Sequence, residues 1–268
     1  MNLQDKTLHN IPFQISPQLD SLGIKHGFTT RNGGVSSGAA SSLNLGIRLD
    51  DKKENILKNY DLVLNALEVQ PDRIAFSHQI HSNKVRVITE DDVRKNPYDP
   101  AEFGVDGLVT NIPGVTLITY SADCNTIIFY DPVKKVIANV HSGWRGTVGK
   151  IAENAISAMS KSFGTNPSDI NVAIGPCISK CCFETSQDVR DEFFAAFGNE
   201  AIPLITDKHN GKYMIDIKGF NQLIVKNAGV LPENIDVSPD CTMCNQHKYW
   251  SHRAMGLNRG SLAALICL

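Results

Sequence analysis

Between Val115 and Phe163 the hydrophobic period of the chain changes once, and that change limits the folds open to it. Val115 to Tyr120 (VTLITY), Thr126 to Tyr130 (TIIFY) and Val136 to Val140 (VIANV) are short β-branched runs bounded by Gly, Asp, Asn or Pro, which predicts three strands. From Thr147 the apolar positions become Val148, Ile151, Ala155, Met159 and Phe163, stopped by Gly164, which is the spacing of an amphipathic helix with a glycine end. KVRVIT (84–89), INVAI (170–174), KYMID (212–216), NIDVS (234–238) and LAALIC (262–267) also read as strands. Further helices are expected over 52–67, with Asp51 and Glu54 as a capping pair, over 186–197 and over 217–228. Strands and helices alternate with no long linker and no repeat. The expectation is one α/β (mixed α+β) domain over 1–268, a mixed sheet flanked by helices.

The charge balance narrows the partners. With 26 basic and 28 acidic residues the formal net charge is -2, and no block of like charge marks a nucleic-acid footprint or a membrane anchor. The expected partner is a small molecule, with no nucleic acid and no membrane. MNLQDKTLHN lacks the order of a signal peptide, and no apolar run nears the roughly 18 residues that cross a bilayer, so a cytoplasmic protein is expected. A monomer is expected because no heptad or symmetric motif is readable. Seven cysteines, an odd number in a chain of 268 residues, point to thiols rather than a disulfide framework.

Two loops are too distinctive for plain connectors. Residues 26–46 (HGFTTRNGGVSSGAASSLNLG) are dominated by Gly, Ser and Asn, and SGWRGT (142–147) joins a predicted strand directly to a predicted helix. Beside predicted strands, SHQIHS supplies His78 and His81, SADC supplies Asp123 and Cys124, and NVHSGWRG supplies His141. Two histidines and a cysteine suit a catalytic zinc with a fourth position open. From residue types alone the alternative stands that Cys124 is a small buried apolar residue and His141 a hydrogen-bonded core histidine.

The motifs TTRNGG, SLNLG, QIHS, DGLVT, ADC, HSGWRGT, IGPCISKCCFE and CTMCN with a later SHR, in that order over about residues 26 to 260, resemble the YfiH/LACC1 family of laccase-domain proteins, once assigned as multicopper polyphenol oxidases. The resemblance implies one zinc held by His81, Cys124 and His141. It also implies an enzyme that cleaves adenosine, inosine, guanosine and methylthioadenosine with phosphate and deaminates adenosine. Asp123 is the first candidate proton carrier, His78 the second and Glu184 the third, with a role for Asp123 in orienting a metal-bound histidine equally open. Asn44, Arg48 and Arg145 are candidate phosphate or substrate binders; Arg145 has the alternative of stacking on Trp144, and Arg31 that of a turn residue.

Copper remains an adventitious or alternative metal, since Cu(II) competes for such ligands. A laccase-like oxidase would need several copper centres, and of eight histidines only His78, His81 and His141 fall in these motifs. A third class, a non-enzymatic metal-stabilised binding protein, would enclose its ion with four ligands. The CTMC pair reads as a reduced pair or a rim of the same site, and Cys177 and Cys182 as packing residues. Asn125 and Thr185 depart from the family pattern, and Asn125 is expected to alter the polarity of the pocket.

Overall fold

The computed structural model describes residues 1–47, 51–101 and 103–268. Its centre is the pair of strands Asn125–Asp131 and Val136–Ser142, buried at every position. Burial on both faces explains why these segments read as nearly continuous apolar runs. Successive side chains point to opposite faces. Ile127, Phe129, Val136, Ala138 and Val140 therefore meet the helix Ile151–Phe163 through Ile151, Ala155 and Met159, and Phe220 and Ile224 of the helix Ile217–Asn227. Ile128, Tyr130 and Ile137 face the other way, onto Leu117, Ala264 and Ile266 of a second sheet.

The first sheet runs, in spatial order, Ile235–Val237, Asn171–Ile174, Asn125–Asp131, Val136–Ser142, Gly107–Thr110 and Val85–Val87. The second runs Gln4–Leu8, Ile11–Ile15, Lys25–Thr29, Leu262–Cys267, Thr116–Ser121 and Ile74–Ala75. Both are mixed, with parallel pairing only at their margins. The helix Lys53–Ala66 covers the outer face of the second sheet with Ile56, Tyr60, Val63 and Leu64. The α+β class agrees with the sequence, but two large sheets packed face to face replace the single sheet expected, and a small antiparallel sheet of Glu184–Ser186, Lys212–Ile215 and Ile205–Asp207 stands beside them. Asn139, fully buried between the sheets, accepts from Thr119 Oγ1 (2.6 Å) and donates to the Leu117 and Ala264 carbonyls. A satisfied polar pin of this kind favours one register over its neighbours.

Two local expectations are corrected. The helix expected from Thr147 is two helices, Trp144–Val148 and Ile151–Phe163, separated at Lys150, whose φ is 54°. The break lets Thr147 Oγ1 meet Ser142 Oγ (2.9 Å) and brings the Gly149 carbonyl to Asn83 Nδ2. The Asp51–Glu54 capping pair does not form: Lys52 is the N-cap, without a side-chain cap bond, and the Asp51 carboxylate accepts from Ser36, Asn44 and Asn55. Asp51 thereby ties the 26–46 loop to the helix. Gly34 in that loop is required for a close approach, since a Cβ there would lie 2.4 Å from the Ser42 carbonyl oxygen. No helix among the described residues is long and apolar enough to cross a membrane.

Candidate metal and nucleoside site

His141 sits one residue before the end of its strand, on the face shared by Ile137 and Asn139, where the two sheets part. Cys124 immediately precedes the partner strand, whose Thr126 is opposite His141. His81 arrives on the loop that follows Ile74–Ala75. The ligand-capable atoms of the three lie within 4.8 Å of one another, with Cys124 Sγ 4.0 Å from His81 Nε2. A tetrahedral ion with Zn–S of about 2.3 Å and Zn–N of about 2.0 Å separates such S and N atoms by roughly 3.5 Å, so small side-chain movements complete the site. Gly143 keeps the space clear: a Cβ there would lie 3.1 Å from His81 Cδ2 and 3.2 Å from Cys124 Sγ.

The backbone is strained where it delivers two of these groups. His81 has φ of 59° and Asp123, beside Cys124, has φ of 83°, a region that costs non-glycine residues about 1–3 kcal/mol. Each turn is held by a buried carboxylate. Asp106 accepts from the backbone N–H groups of Ile80, His81 and Ser82, from Ser82 Oγ and, at 2.9 Å, from His141 Nδ1. The last contact leaves His141 Nε2 to face Cys124 and an ion, the usual carboxylate–histidine–metal relay. Burial works to raise the Asp106 carboxyl, but His141 and Ser82 outweigh it and bring it down to about 2. Burial likewise pushes the Cys124 thiol up, and the imidazoles of His141 and His81 overcome it, bringing the thiol down to about 6. His141, which burial alone would lower, is raised to about 9 by Cys124 and Asp106. Without an ion the two groups thus favour a thiolate facing an imidazolium; ligation would use the thiolate as it stands and displace the proton of His141.

The cluster opens on a cavity of about 700 Å³. Phe76, Tyr98, Tyr120, Trp144 and Phe183 give it aromatic walls, and His78, Gln79, His252, Arg253 and Arg259 give it polar ones. Gln79 is locked to both backbone groups of Tyr120, and Tyr120 receives the Tyr60 hydroxyl hydrogen at 2.6 Å. Burial pushes the Tyr120 phenol well up, so it stays neutral.

The other residues singled out from sequence are distributed as follows. Asp123 lines the cavity but does not touch a histidine of the cluster: its carboxylate accepts from Thr242 Oγ1 (2.6 Å), Ser251 Oγ (3.0 Å) and the Arg253 N–H (2.6 Å). The histidine-orienting carboxylate is Asp106 instead. His78 is exposed on the cavity wall. Asn44 is buried behind the wall, where Oδ1 accepts from Gly46 and Ser261 and Nδ2 donates to Asp51; the cavity is lined by Leu45, Gly46 and Ile47 beside it. Arg48 lies outside the described residues. Arg145 is exposed with its guanidinium 4.2 Å above the Trp144 ring, outside the cavity lining, and Arg31 stacks on Trp250 at 3.8 Å. Glu184 pairs with Lys208. Asn125, expected to change pocket polarity, does not line it: Nδ2 donates to the Gly175 carbonyl and Oδ1 accepts from Asn221.

A sequence model described as multi-copper polyphenol oxidoreductase laccase matches residues 25–268. The chain belongs to this family. It is 35% identical to "Purine nucleoside phosphorylase YlmD" of Bacillus subtilis over 85% of this chain and 82% of that protein. It is 32% identical to "Adenosine deaminase RL5" from an unknown prokaryotic organism, over 89% of this chain and 91% of the other. The crystal structure of YlmD from Geobacillus stearothermophilus superposes with a TM-score of 0.90 at 31% identity, covering 99% of this chain and 98% of that one. In this chain His81, Cys124 and His141 bring three donor atoms close enough together to hold a metal ion.

Three residues that shape the site carried no sequence argument of their own. Asp106 stands in DGLVT and His252 in SHR, two of the motifs that carry the resemblance, while Arg259 lies just beyond them. Those motifs were the available signal, because no local spacing connects residue 106 or 259 to residue 141.

Proposed function

We propose that the chain is a zinc-dependent purine nucleoside enzyme that cleaves adenosine, inosine, guanosine and methylthioadenosine with phosphate and also deaminates adenosine. The observation that carries this reading is a three-donor cluster left open toward an aromatic cavity. Three donors with a free position fit a reacting metal, whereas a purely structural ion is enclosed by four. The relatives named as a purine nucleoside phosphorylase and an adenosine deaminase support it.

In this reading His81, Cys124 and His141 hold the zinc, and Asp106 fixes the tautomer of His141. When bound, zinc supplies Lewis acidity and a water acidic enough to attack at neutral pH. The aromatic walls take the purine and ribose by stacking and exclusion of water. Arg259 is the best anion binder on the wall. Its hydrogen bonds go to the Gly260 carbonyl, Ser261 Oγ and His252 Nδ1, which leaves its charge without a carboxylate partner among the described residues. Burial lowers its affinity for its proton, and the nearby charges of Asp123 and Cys124 offset part of that, so it remains a cation. Arg259 and His252 hold phosphate. A phosphate oxygen bonds to the ribose C1′ as the C1′–N9 bond breaks, and the electron pair leaves with the purine, which takes a proton. Asp123, occupied by three donors, positions the turn before Cys124, and the proton passes through His78. In deamination a water oxygen bonds to purine C6 as the C6–N bond breaks, and His78 passes the water's proton to the amino group, which leaves as ammonia. The reading includes the cytosolic, monomeric state expected from the sequence.

A laccase-like copper oxidase is less well supported, because the described residues gather no cluster of histidines beyond His81 and His141. A cysteine nucleophile, Cys124 with His141 and Asp106, leaves unexplained why His81 is presented to the same sulfur. The test is product analysis of adenosine and inosine with metal-counted protein, with and without phosphate. Phosphate-dependent release of adenine or hypoxanthine by zinc protein supports the reading; no turnover by zinc protein, with phenol oxidation by copper-loaded protein, sinks it.

A further inference from the structure

A second group of soft ligands lies outside the cavity. Cys181 and Cys182 follow the Asn171–Ile174 strand on one loop, and Cys241 and Cys244 follow Ile235–Val237 on another. All four sulfurs lie within 4.8 Å of one another. The separations are 3.7 Å for Cys181–Cys182, 3.7 Å for Cys181–Cys244 and 3.4 Å for Cys182–Cys244. Four thiolates at about 2.3 Å from a tetrahedral zinc stand roughly 3.8 Å apart, whereas a disulfide needs about 2.05 Å. The sulfurs are thus spaced for a shared ion and not for a bond. The Ser179 N–H donates to Cys241 Sγ at 3.3 Å, and hydrogen bonding of this kind favours the charged form of a sulfur. Cys241 is buried while Cys181 and Cys244 are exposed, which gives an ion an entry path. The two cysteine pairs are far apart in sequence, which is why CTMC alone reads as a reduced pair or a rim of the first site.

We propose that Cys181, Cys182, Cys241 and Cys244 form a second, structural zinc site with a complete set of four thiolate ligands. This site has no open position and performs no chemistry. Its work is to join two loops that build the catalytic wall. Thr242, next to Cys241, donates to Asp123, and the Ile178 N–H donates to the Asp123 carbonyl. Arg253 Nη1 donates to the Cys182 carbonyl, and Ile178 and Phe183 line the cavity. The cysteines are therefore positioning residues for the turn that carries Cys124.

The experiment counts zinc in the full-length protein purified anaerobically under reducing conditions from zinc-supplemented cells. The expected result is two zinc per chain in the wild type, one in His81→Ala and one in the Cys181→Ser/Cys244→Ser variant. X-ray absorption of the His81→Ala protein reports the remaining ion with four sulfur neighbours at about 2.3 Å. The wild-type and His81→Ala zinc counts and the absorption measurement do not require the cysteine variant to fold. One zinc per chain in the wild type, lost entirely in His81→Ala, overturns the proposal, as does mass-spectrometric recovery of a disulfide among the four cysteines from the anaerobic protein. Where the cysteine variant folds, a several-fold rise in nucleoside KM with kcat nearly kept fits a positioning role, and unchanged kinetics with two zinc retained refutes it. Failure here leaves the His81, Cys124 and His141 reading intact, because that reading is tested by the other equivalent of zinc.

Discussion

His81, Cys124 and His141 form a cluster of three donors, and Cys181, Cys182, Cys241 and Cys244 one of four, with Asp123 and Thr242 linking the loops between them. The first mixes imidazole with thiolate, is braced by a buried carboxylate and opens on an aromatic cavity. The second is all sulfur, sits at the surface and closes on itself. The difference teaches that donor count and donor type, not the presence of cysteine, separate a reacting ion from a holding one. In this chain the four-cysteine group stands directly behind the wall that presents His81, Cys124 and His141.

The sharpest way to break that distinction is His81→Ala. It is expected to abolish phosphorolysis and deamination together and to remove one zinc; retained activity at one zinc per chain would reverse the assignment of the two clusters. Next is Asp106→Asn, which keeps size but removes the charge that orients His141. A fall of about 10–100-fold in zinc affinity or kcat/KM is expected, read by competition with a chelator and by steady-state kinetics. Arg259→Gln should raise the phosphate KM about 10-fold, the lower end for a charged hydrogen bond of about 1.5–3 kcal/mol, with the nucleoside KM changed less. An equal change in both would move phosphate away from Arg259. Cys244→Ser should lower the melting temperature more than it lowers kcat, the opposite of the Asp106 pattern.

The smallest effect is a control outside both clusters. Asp92, buried, accepts from Arg86 and from the Thr89 N–H that its 3₁₀ turn presents. Burial raises its carboxyl, yet Arg86 and Thr89 outweigh it and hold it below the ordinary carboxylate value. Its contribution is therefore complete above a pH of about 4 and is lost as pH falls through the folded-state value. With Arg86 half-exposed, Asp92→Asn should cost about 1 kcal/mol at neutral pH. Urea unfolding at pH 7 and near pH 3 should show that cost shrinking in acid, with zinc content unchanged at pH 7.

Much of this was legible in the sequence, for a physical reason. The strands Asn125–Asp131 and Val136–Ser142 and the helix Ile217–Asn227 carry strong periodic patterns because each buries a whole face. The strands Gln4–Leu8 and Lys25–Thr29 do not, since the first is an exposed edge and the second interleaves Lys25, His26 and Gly27. The break at Lys150 brings the Gly149 carbonyl to Asn83, a contact distant in sequence that no local spacing encodes. The same holds at the site. The ligand-bearing motifs stood out as residue types, while Asp106 as the orienting carboxylate, Arg259 on the cavity wall and the joining of Cys181 and Cys182 to Cys241 and Cys244 are products of long-range folding.

The strand Leu262–Cys267 pairs on one side with Lys25–Thr29 and on the other with Thr116–Ser121. During synthesis the two halves of that sheet therefore wait, edges unpaired, until residues 262–267 have left the ribosome, since pairing across so long a loop is slow to close. A ribosome paused shortly before that segment carries a chain with every residue of both clusters already made but with an open slot through its middle. A chain truncated there is expected to be protease-sensitive rather than a shortened enzyme, which limited proteolysis of a 1–261 fragment would check.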